Sequence, residues 1–296
     1  MTLPALTAGA VAAPAAQPPA PLDAEILRDV PYVTGGHERQ KLDLYLPGKK
    51  SGRPLPLIVW VHGGSWSGGD KGRCLPAASR FTARGYAIAS IGYRLSGTAV
   101  FPAQLEDCKA AVRWLRAHAA SLHIDPDRIA AWGSSAGGHL AALLGTTGDT
   151  RAFDTGENLD FSSGVQAVVD YYGPADFCDR SLLKDNPALG DPGSPVSLLI
   201  GATARDNPEK VAAASPVSYV TKGDAPFFIV HGTDDPAVPV SQSRRLDAAL
   251  WAAGVFSKLK VIEGAAHGGP EYTTGELLDE VDAFLRVRLR SIPRKN

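Results

Sequence analysis

The chain has 296 residues, 44% of them hydrophobic, enough for one large core and at most two domains. Lys and Arg total 30 against 31 Asp and Glu, a formal net charge of −1, so no overall field gathers nucleic acid or an anionic lipid surface. No stretch reaches the roughly 18–20 unbroken apolar residues of a membrane-spanning helix, and a small molecule or a neutral polymer fits this balance as substrate.

Residues 1–22 stand apart from the rest. Leu3 to Ala16 is apolar and small, and Ala13-Pro14-Ala15 resembles a signal cleavage site, but no Lys or Arg precedes Arg28. The segment reads as a signal-peptide remnant, which points to a secreted or periplasmic protein, or as a disordered Ala/Pro leader, which leaves the cytoplasm open. A QPPAP linker follows, and residues 23–296 are expected to form one domain.

From Ile26 onward, strands and helices alternate. Lys41–Leu46 (KLDLYL) alternates apolar and polar residues as a half-buried antiparallel strand does. Leu57–Val61, Tyr86–Ile91, Arg128–Trp132, Val165–Tyr171, Phe227–Val230 and Lys258–Ile262 are continuous apolar runs of the kind buried on both faces of a sheet. Helical spacing runs through Gln104–Ala119 (Leu105, Cys108, Val112, Leu115), Ser243–Ala253 (Leu246, Leu250) and Gly275–Arg290 (Leu277, Val281, Leu285). The pattern predicts an α/β fold with a doubly wound, mostly parallel sheet and antiparallel strands at one edge. About 50 residues, Ala175–Ala225, separate two strands where a helix and short loops would suffice. Their prolines and the short apolar runs Ser181–Leu183 and Val196–Ile200 suggest an inserted lid or cap, or else a crossover helix with long loops.

Gly133-Ser134-Ser135-Ala136-Gly137 fits G-x-S-x-G between the strand Arg128–Trp132 and the apolar helix Gly138–Leu144. That strand–turn–helix context is the nucleophile elbow, where glycines let the serine adopt a strained backbone and stand at the sheet's C-terminal edge. Ser135 is the candidate nucleophile, and Ser134 occupies the variable position. A serine hydroxyl needs a base held by a third group. The expected chain order is Ser, then Asp or Glu, then His. His267 follows the strand Lys258–Ile262 and is the only histidine after His231. The acid should follow Phe227–Val230, where Asp234 and Asp235 are adjacent candidates.

Negative charge on a tetrahedral intermediate calls for backbone donors. Ala136 N–H, just after the nucleophile, is one. His62-Gly63-Gly64-Ser65-Trp66, after Leu57–Val61, supplies Gly64 and Ser65 as the others, with His62 stabilising the loop. The same stretch lacks the G-x-x-x-x-G-K-[ST] phosphate loop, which argues against nucleotide binding. His37, His118, His123 and His139 lack the partners or spacing of metal ligands and are expected in surface or packing roles; Phe81, Tyr86 and Trp114 are expected in the core. Cys74, Cys108 and Cys178 form no CxxC or zinc pattern and read as buried or half-buried thiols, one disulfide being the alternative in an exported protein. No metal or other cofactor is implied, and nothing sets an oligomeric state.

Together these residues resemble the esterase/lipase group of α/β-hydrolases with an HGG-x-W oxyanion loop, most of all the bifunctional feruloyl and acetyl xylan esterases (BD-FAE-like), with kynurenine formamidase-like enzymes nearby. The matching stretches include KLDLYLP at 41–47, HGGSW at 62–66, GYRL at 92–95, FPAQLEDCKAAVRWL at 101–115, IDPDRI at 124–129, GSSAGGHL at 133–140, YGPAD at 172–176, SPVSYV at 215–220, His231–Pro239 and HGG at 267–269. The family pattern D-x-x-V-P is met by Asp235, Val238 and Pro239, so the resemblance favours Asp235 over Asp234. Ser65 stands where the family often has glycine or another small residue. The resemblance implies a serine carboxylic ester hydrolase working through an acyl-enzyme on small-molecule or polysaccharide-linked esters, feruloyl or acetyl. The alternatives are an arylformamidase or oligopeptidase-type amide hydrolase, and a catalytically silent α/β-hydrolase scaffold that only binds.

Overall fold

The structure, a computed structural model, describes residues 24–48, 51–74, 80–179 and 191–290. In chain order the strands are β1 (Ala24–Pro31), β2 (Lys41–Pro47), β3 (Leu55–Val61), β4 (Ala87–Ile91), β5 (Ile124–Ser134), β6 (Ala167–Tyr171), β7 (Phe227–Gly232) and β8 (Ser257–Ile262). The helices are α1 (Ala103–Ala117), α2 (Ala136–Thr146), α3 (Pro195–Ile200), α4 (Pro208–Ala213), α5 (Ser241–Ala252) and α6 (Gly275–Arg288). Among the described residues one sheet holds all eight strands in the order β1-β2-β4-β3-β5-β6-β7-β8. β1 and β2 pair antiparallel at one edge, and β4 through β8 run parallel with β3. The leader (1–22) and residues 180–190, which include the run at 181–183, lie outside the described residues.

The continuous apolar runs are explained by a sheet covered on both faces. Side chains alternate across a strand, so Leu57, Val59 and Val61 of β3 enter one core while Ile58 and Trp60 enter the other. β7 divides likewise, Phe227 and Ile229 against Phe228 and Val230. The expected apolar stripes then sort the helices. Leu105, Cys108, Val112 and Leu115 of α1, Leu140, Leu143 and Leu144 of α2, and Leu246 and Leu250 of α5 join the first core. Leu277, Val281 and Leu285 of α6 join the second. β5 begins four residues before the expected run, at Ile124, because Leu55 of β3 pairs with Ile124 ahead of a register shift.

Topology places the site. β3 lies between β4 and β5, the chain leaving β3 towards one edge and β5 towards the other. Their C-terminal ends therefore flank the crevice where open α/β sheets bind ligands. The loop after β3 is the HGGSW stretch, and the turn after β5 carries Ser135. Of the 175–225 segment, the described part contains α3 and α4. Ser194 caps α3 by accepting Ser197 N–H, with Pro195 in its first turn, and Gly201 at φ 63° ends it. Phe81 and Tyr86 are buried, and Trp114 is partly buried against the first core. Cys74 and Cys108 are buried free thiols and Cys178 an exposed one. Among the described residues no helix is long and apolar enough to cross a membrane.

The charged face of α1 is not solvated. Lys109 and Arg113 are fully buried, because α1 gathers the irregular chain that follows α2. Lys109 Nζ donates to the carbonyls of Thr147 (2.8 Å) and Thr150 (2.9 Å), and Arg113 Nη1 reaches Asp154 at 3.0 Å. Arg116 donates to Pro126, Ser162 and Gly164 carbonyls. Asp154, which also accepts from Ser163 (2.7 Å), balances both buried cations. Removing it would strand two charges in a medium that solvates them poorly. Asp154→Asn should therefore lower the free energy of unfolding by about 3–5 kcal/mol in urea titrations. Asp279→Asn, which removes the exposed partner of Arg84, should cost no more than about 1 kcal/mol.

Candidate active site

Ser135 is built on strain. Its backbone sits at φ 54°, ψ −123° between β5 and the first residue of α2, a conformation that costs free energy unless the surroundings enforce it. They do so through close backbone packing. A Cβ on Gly133 would lie 2.1 Å from Gly137 O, and one on Gly137 would lie 2.0 Å from Val61 O. Ser135 N–H donates to Tyr171 O at 2.9 Å, and Ser135 O accepts His139 N–H at 3.0 Å.

The structure brings Ser135, Asp235 and His267 together. His267 Nε2 lies 2.8 Å from Ser135 Oγ, and its Nδ1 lies 2.6 Å from Asp235 Oδ2. A carboxylate oxygen can only accept, so Nδ1 carries the ring proton and Nε2 is left to accept from the serine hydroxyl. Asp235 Oδ1 accepts the N–H groups of Ala237 and Val238, both at 2.8 Å. Asp234 is exposed and accepts from the Thr233 hydroxyl. Burial pushes the Asp235 carboxyl up, but hydrogen bonds from His231, His267 and Val238 N–H outweigh it and hold the group well below the usual carboxylate range. Asp170, at the neighbouring end of β6, accepts Gly173 N–H at 3.0 Å and stands outside this chain of bonds; burial pushes it up to about 6.

The loop after β3 turns through left-handed backbone, with φ of 122° at Gly64, 53° at Ser65 and 58° at Trp66. Ser65 and Ala136 line the same cavity as Ser135 and His267. Ala136 is the first residue of α2, so its N–H has no acceptor within the helix. Gly64 is not among the cavity-lining residues; its carbonyl accepts from Ser67 and Gly68 N–H. His62 is buried and stacked on Tyr93 at 4.3 Å. Its Nδ1 bonds Gly63 O at 2.8 Å, and its Nε2 faces Arg39 Nη2 at 3.3 Å. Burial pushes its pKa down to about 4.

Two further histidines are bound into the packing. His139, expected in a surface or packing role, takes the packing one: it is fully buried with both ring nitrogens bonded, to Trp66 Nε1 (3.1 Å) and Ala214 O (2.7 Å). His231, at the end of β7, has Nε2 at 2.8 Å from Val238 O and 3.3 Å from Asp235 Oδ2. Both oxygens only accept, so its Nε2 carries the proton and its Nδ1 takes the Ser243 hydroxyl at 2.7 Å. The only sequence hint was position: His139 one helical turn after the nucleophile, His231 directly before the acid loop.

The cavity has a volume of about 590 Å³. Apolar side chains of Trp66, Phe177, Val196 and Val238 line it, with Pro174, Pro195 and Pro239; Ser65, Asp191 and Ser194 add polar groups. The contrast between the two adjacent aspartates is testable. Asp235→Asn should reduce kcat on an ester substrate by about 10³–10⁴-fold, whereas Asp234→Asn should leave it within about twofold, both read by steady-state kinetics.

Comparison with known proteins places the chain among esterases in sequence and fold. A family profile described as BD-FAE matches residues 42–250. Esterase LipQ of Mycobacterium tuberculosis is 37% identical over 231 residues, which cover 76% of this chain and 53% of that protein. Esterase LipC of the same organism is 32% identical, over 79% of this chain and 58% of its own length. The chain thus spans somewhat over half the length of these curated relatives. Among solved structures, a truncated carbohydrate esterase from gut microbiota superposes with a TM-score of 0.84 at 30% identity, covering 93% of this chain and 98% of that one. Est2, a thermophilic esterase from the Planctomycetes species Thermogutta terrifontis, superposes in its butyrate-bound form with a TM-score of 0.73 at 29% identity, covering 94% of this chain and 98% of that one; it has also been solved phosphorylated by paraoxon. The profile match and the shared architecture lead to one assignment: this chain belongs to the BD-FAE family and has the α/β-hydrolase fold.

Proposed function

We propose that the chain is a serine carboxylesterase that works through an acyl-enzyme on acetyl or feruloyl esters of carbohydrate. The observation that carries this reading is the unbroken line of bonds from Asp235 through His267 to Ser135, which ends on the wall of the cavity.

The reaction follows from that geometry. His267 Nε2 takes the proton of Ser135 Oγ as the oxygen attacks the ester carbonyl. Asp235 keeps the Nδ1 proton in place and stabilises the imidazolium that forms. The oxyanion is met by the N–H groups of Ser65 and Ala136, with Gly64 as the further donor assigned from the sequence. His267 then protonates the leaving alcohol, and later activates the water that releases the acid from Ser135.

Support for the substrate class is chemical. Trp66, Phe177, Val196 and Val238 offer an apolar surface to an acyl group, and Asp191 and Ser65 offer a carboxylate and a hydroxyl to a polyol. The carbohydrate esterase among the structural relatives is consistent with this division. The described residues of 175–225 that wall the cavity, Phe177, Asp191 and 193–196, act in this reading as a cap over Ser135.

Turnover of p-nitrophenyl acetate by wild type and Ser135→Ala tests the mechanism. The substitution should lower kcat by at least about 10³-fold. Equal rates would overturn the assignment of Ser135, and no turnover by either protein would favour a binding scaffold. Methyl ferulate, acetylated xylan and N-formylkynurenine assayed side by side test the substrate class. Preference for either ester over the formamide is expected, and preference for N-formylkynurenine would replace the esterase reading by an amidase.

A further inference from the structure

His139 takes no proton in the scheme above, yet its surroundings fix it more tightly than a packing role requires. The Trp66 indole N–H can only donate, so His139 Nδ1 is the acceptor at 3.1 Å. The Ala214 carbonyl can only accept, so Nε2 carries the proton, at 2.7 Å. The ring therefore holds one tautomer. Burial pushes its pKa down to about 4, which keeps it uncharged at neutral pH.

The three groups joined by this ring come from three parts of the site. His139 stands on α2, whose N-terminus carries Ser135 and Ala136. Trp66 follows Ser65 in the loop after β3. Ala214 follows α4 in the segment above the sheet. Phe177, from the same segment, completes a cluster with ring centroids 5.1 Å (Trp66–His139), 5.2 Å (His139–Phe177) and 5.8 Å (Trp66–Phe177) apart.

The loop needs such an anchor. Ser65 and Trp66 are consecutive residues with side chains, both in left-handed backbone, and that geometry persists only when its environment over-determines it. The Trp66 carbonyl is tied to Ser96 N–H at 2.9 Å. Its side chain is tied to His139. Releasing the indole would let Ser65 and Trp66 relax towards ordinary φ and turn the Ser65 N–H away from Ser135.

We propose that His139 is a positioning residue: by gripping the Trp66 indole, with Ala214 as its backstop, it holds the Ser65 N–H aimed at the developing oxyanion. This rests on the esterase reading and on Ser65 as a donor, and adds the device that keeps that donor in place.

His139→Leu, His139→Gln, Trp66→Phe and the double variant Trp66→Phe/His139→Leu form the test. On p-nitrophenyl acetate, His139→Leu should lower kcat about 30–100-fold, approaching the loss of one oxyanion donor, with KM changed less than about threefold. Affinity for phenylboronic acid, which becomes tetrahedral on Ser135, should fall by a comparable factor. His139→Gln, which can present both an acceptor and a donor, should recover most of kcat. Because Trp66 and His139 act through one bond, the double variant should be little worse than the poorer single one.

Amide hydrogen exchange at residues 64–67 needs no turnover and should accelerate at least about tenfold in His139→Leu but not in His139→Gln. An unchanged kcat in a folded His139→Leu protein, equal losses in the Leu and Gln variants, additive losses in the double variant, or unchanged exchange would each overturn the proposal. If His139→Leu does not fold, Trp66→Phe and His139→Gln still decide it. In that case, a Trp66→Phe protein with unaltered kcat and exchange overturns it. Absence of turnover by the wild type on every ester would overturn the esterase reading, leaving exchange to judge the anchoring.

Discussion

The nucleophile stands where backbones meet too closely to admit a side chain. Gly137 of α2 abuts Val61 O at the end of β3, Gly133 abuts Gly137, and a Cβ on Gly63 would lie 2.7 Å from Ser134 O. These contacts join the loop after β3 to the turn after β5, and both strands are pinned by cores on each face of the sheet. The strained φ of Ser135 is therefore borne by the whole centre of the fold. The position of its Oγ relative to the neighbouring loop inherits the rigidity of two adjacent parallel strands, and the electrostatic stabilisation proposed for that loop needs such rigidity.

Around this centre the histidines divide their work by burial. His62, His139 and His231 are sealed inside, each with both ring nitrogens engaged by the protein. His267 is the more open one, its side chain 23% exposed, with Nε2 on Ser135 at the cavity wall. A buried ring with both nitrogens held by the protein serves as a rigid bracket. In the proposed reaction it is the His267 ring, with Nε2 on the Ser135 hydroxyl at the cavity wall, that cycles between neutral and charged. His231 links the two kinds, since its Nε2 lies beside the carboxylate that serves His267.

What could be read from the residues was whatever local pattern dictates. Continuous apolar runs marked the parallel strands, because a sheet covered on both faces has no polar side to reveal, and G-x-S-x-G between a strand and a helix marked the turn. β1 was weak for the opposite reason: as the edge strand its residues are mostly intermediate or exposed. Asp234 and Asp235 were inseparable by residue pattern alone, since both are turn residues on one strand end. Burial separates them, for the Asp235 side chain is 0% exposed. The burial of Lys109 and Arg113 has no local signal, because their partners lie about 40 residues away in irregular chain. His139 was opaque for the same reason, its partners lying 73 and 75 residues distant.

The distribution of the site over the chain bears on how its specificity can be set. Ser135, Asp235 and His267 sit at the ends of adjacent or near-adjacent strands, where the sheet dictates their spacing. Much of the cavity wall comes from Pro174, Phe177, Asp191, 193–196 and 237–239, which lie in loops, turns and the start of α3. Such segments can change side chains or length without disturbing the backbone contacts around Ser135. The exception is the Ala214 carbonyl, which reaches His139 and through it Trp66. There, and at the Phe177 ring packed on Trp66 and His139, the segment above the sheet touches the framework of the chemistry. A change there would alter the position of the loop after β3, whereas changes at Val196 or Asp191 would alter only what the cavity accepts.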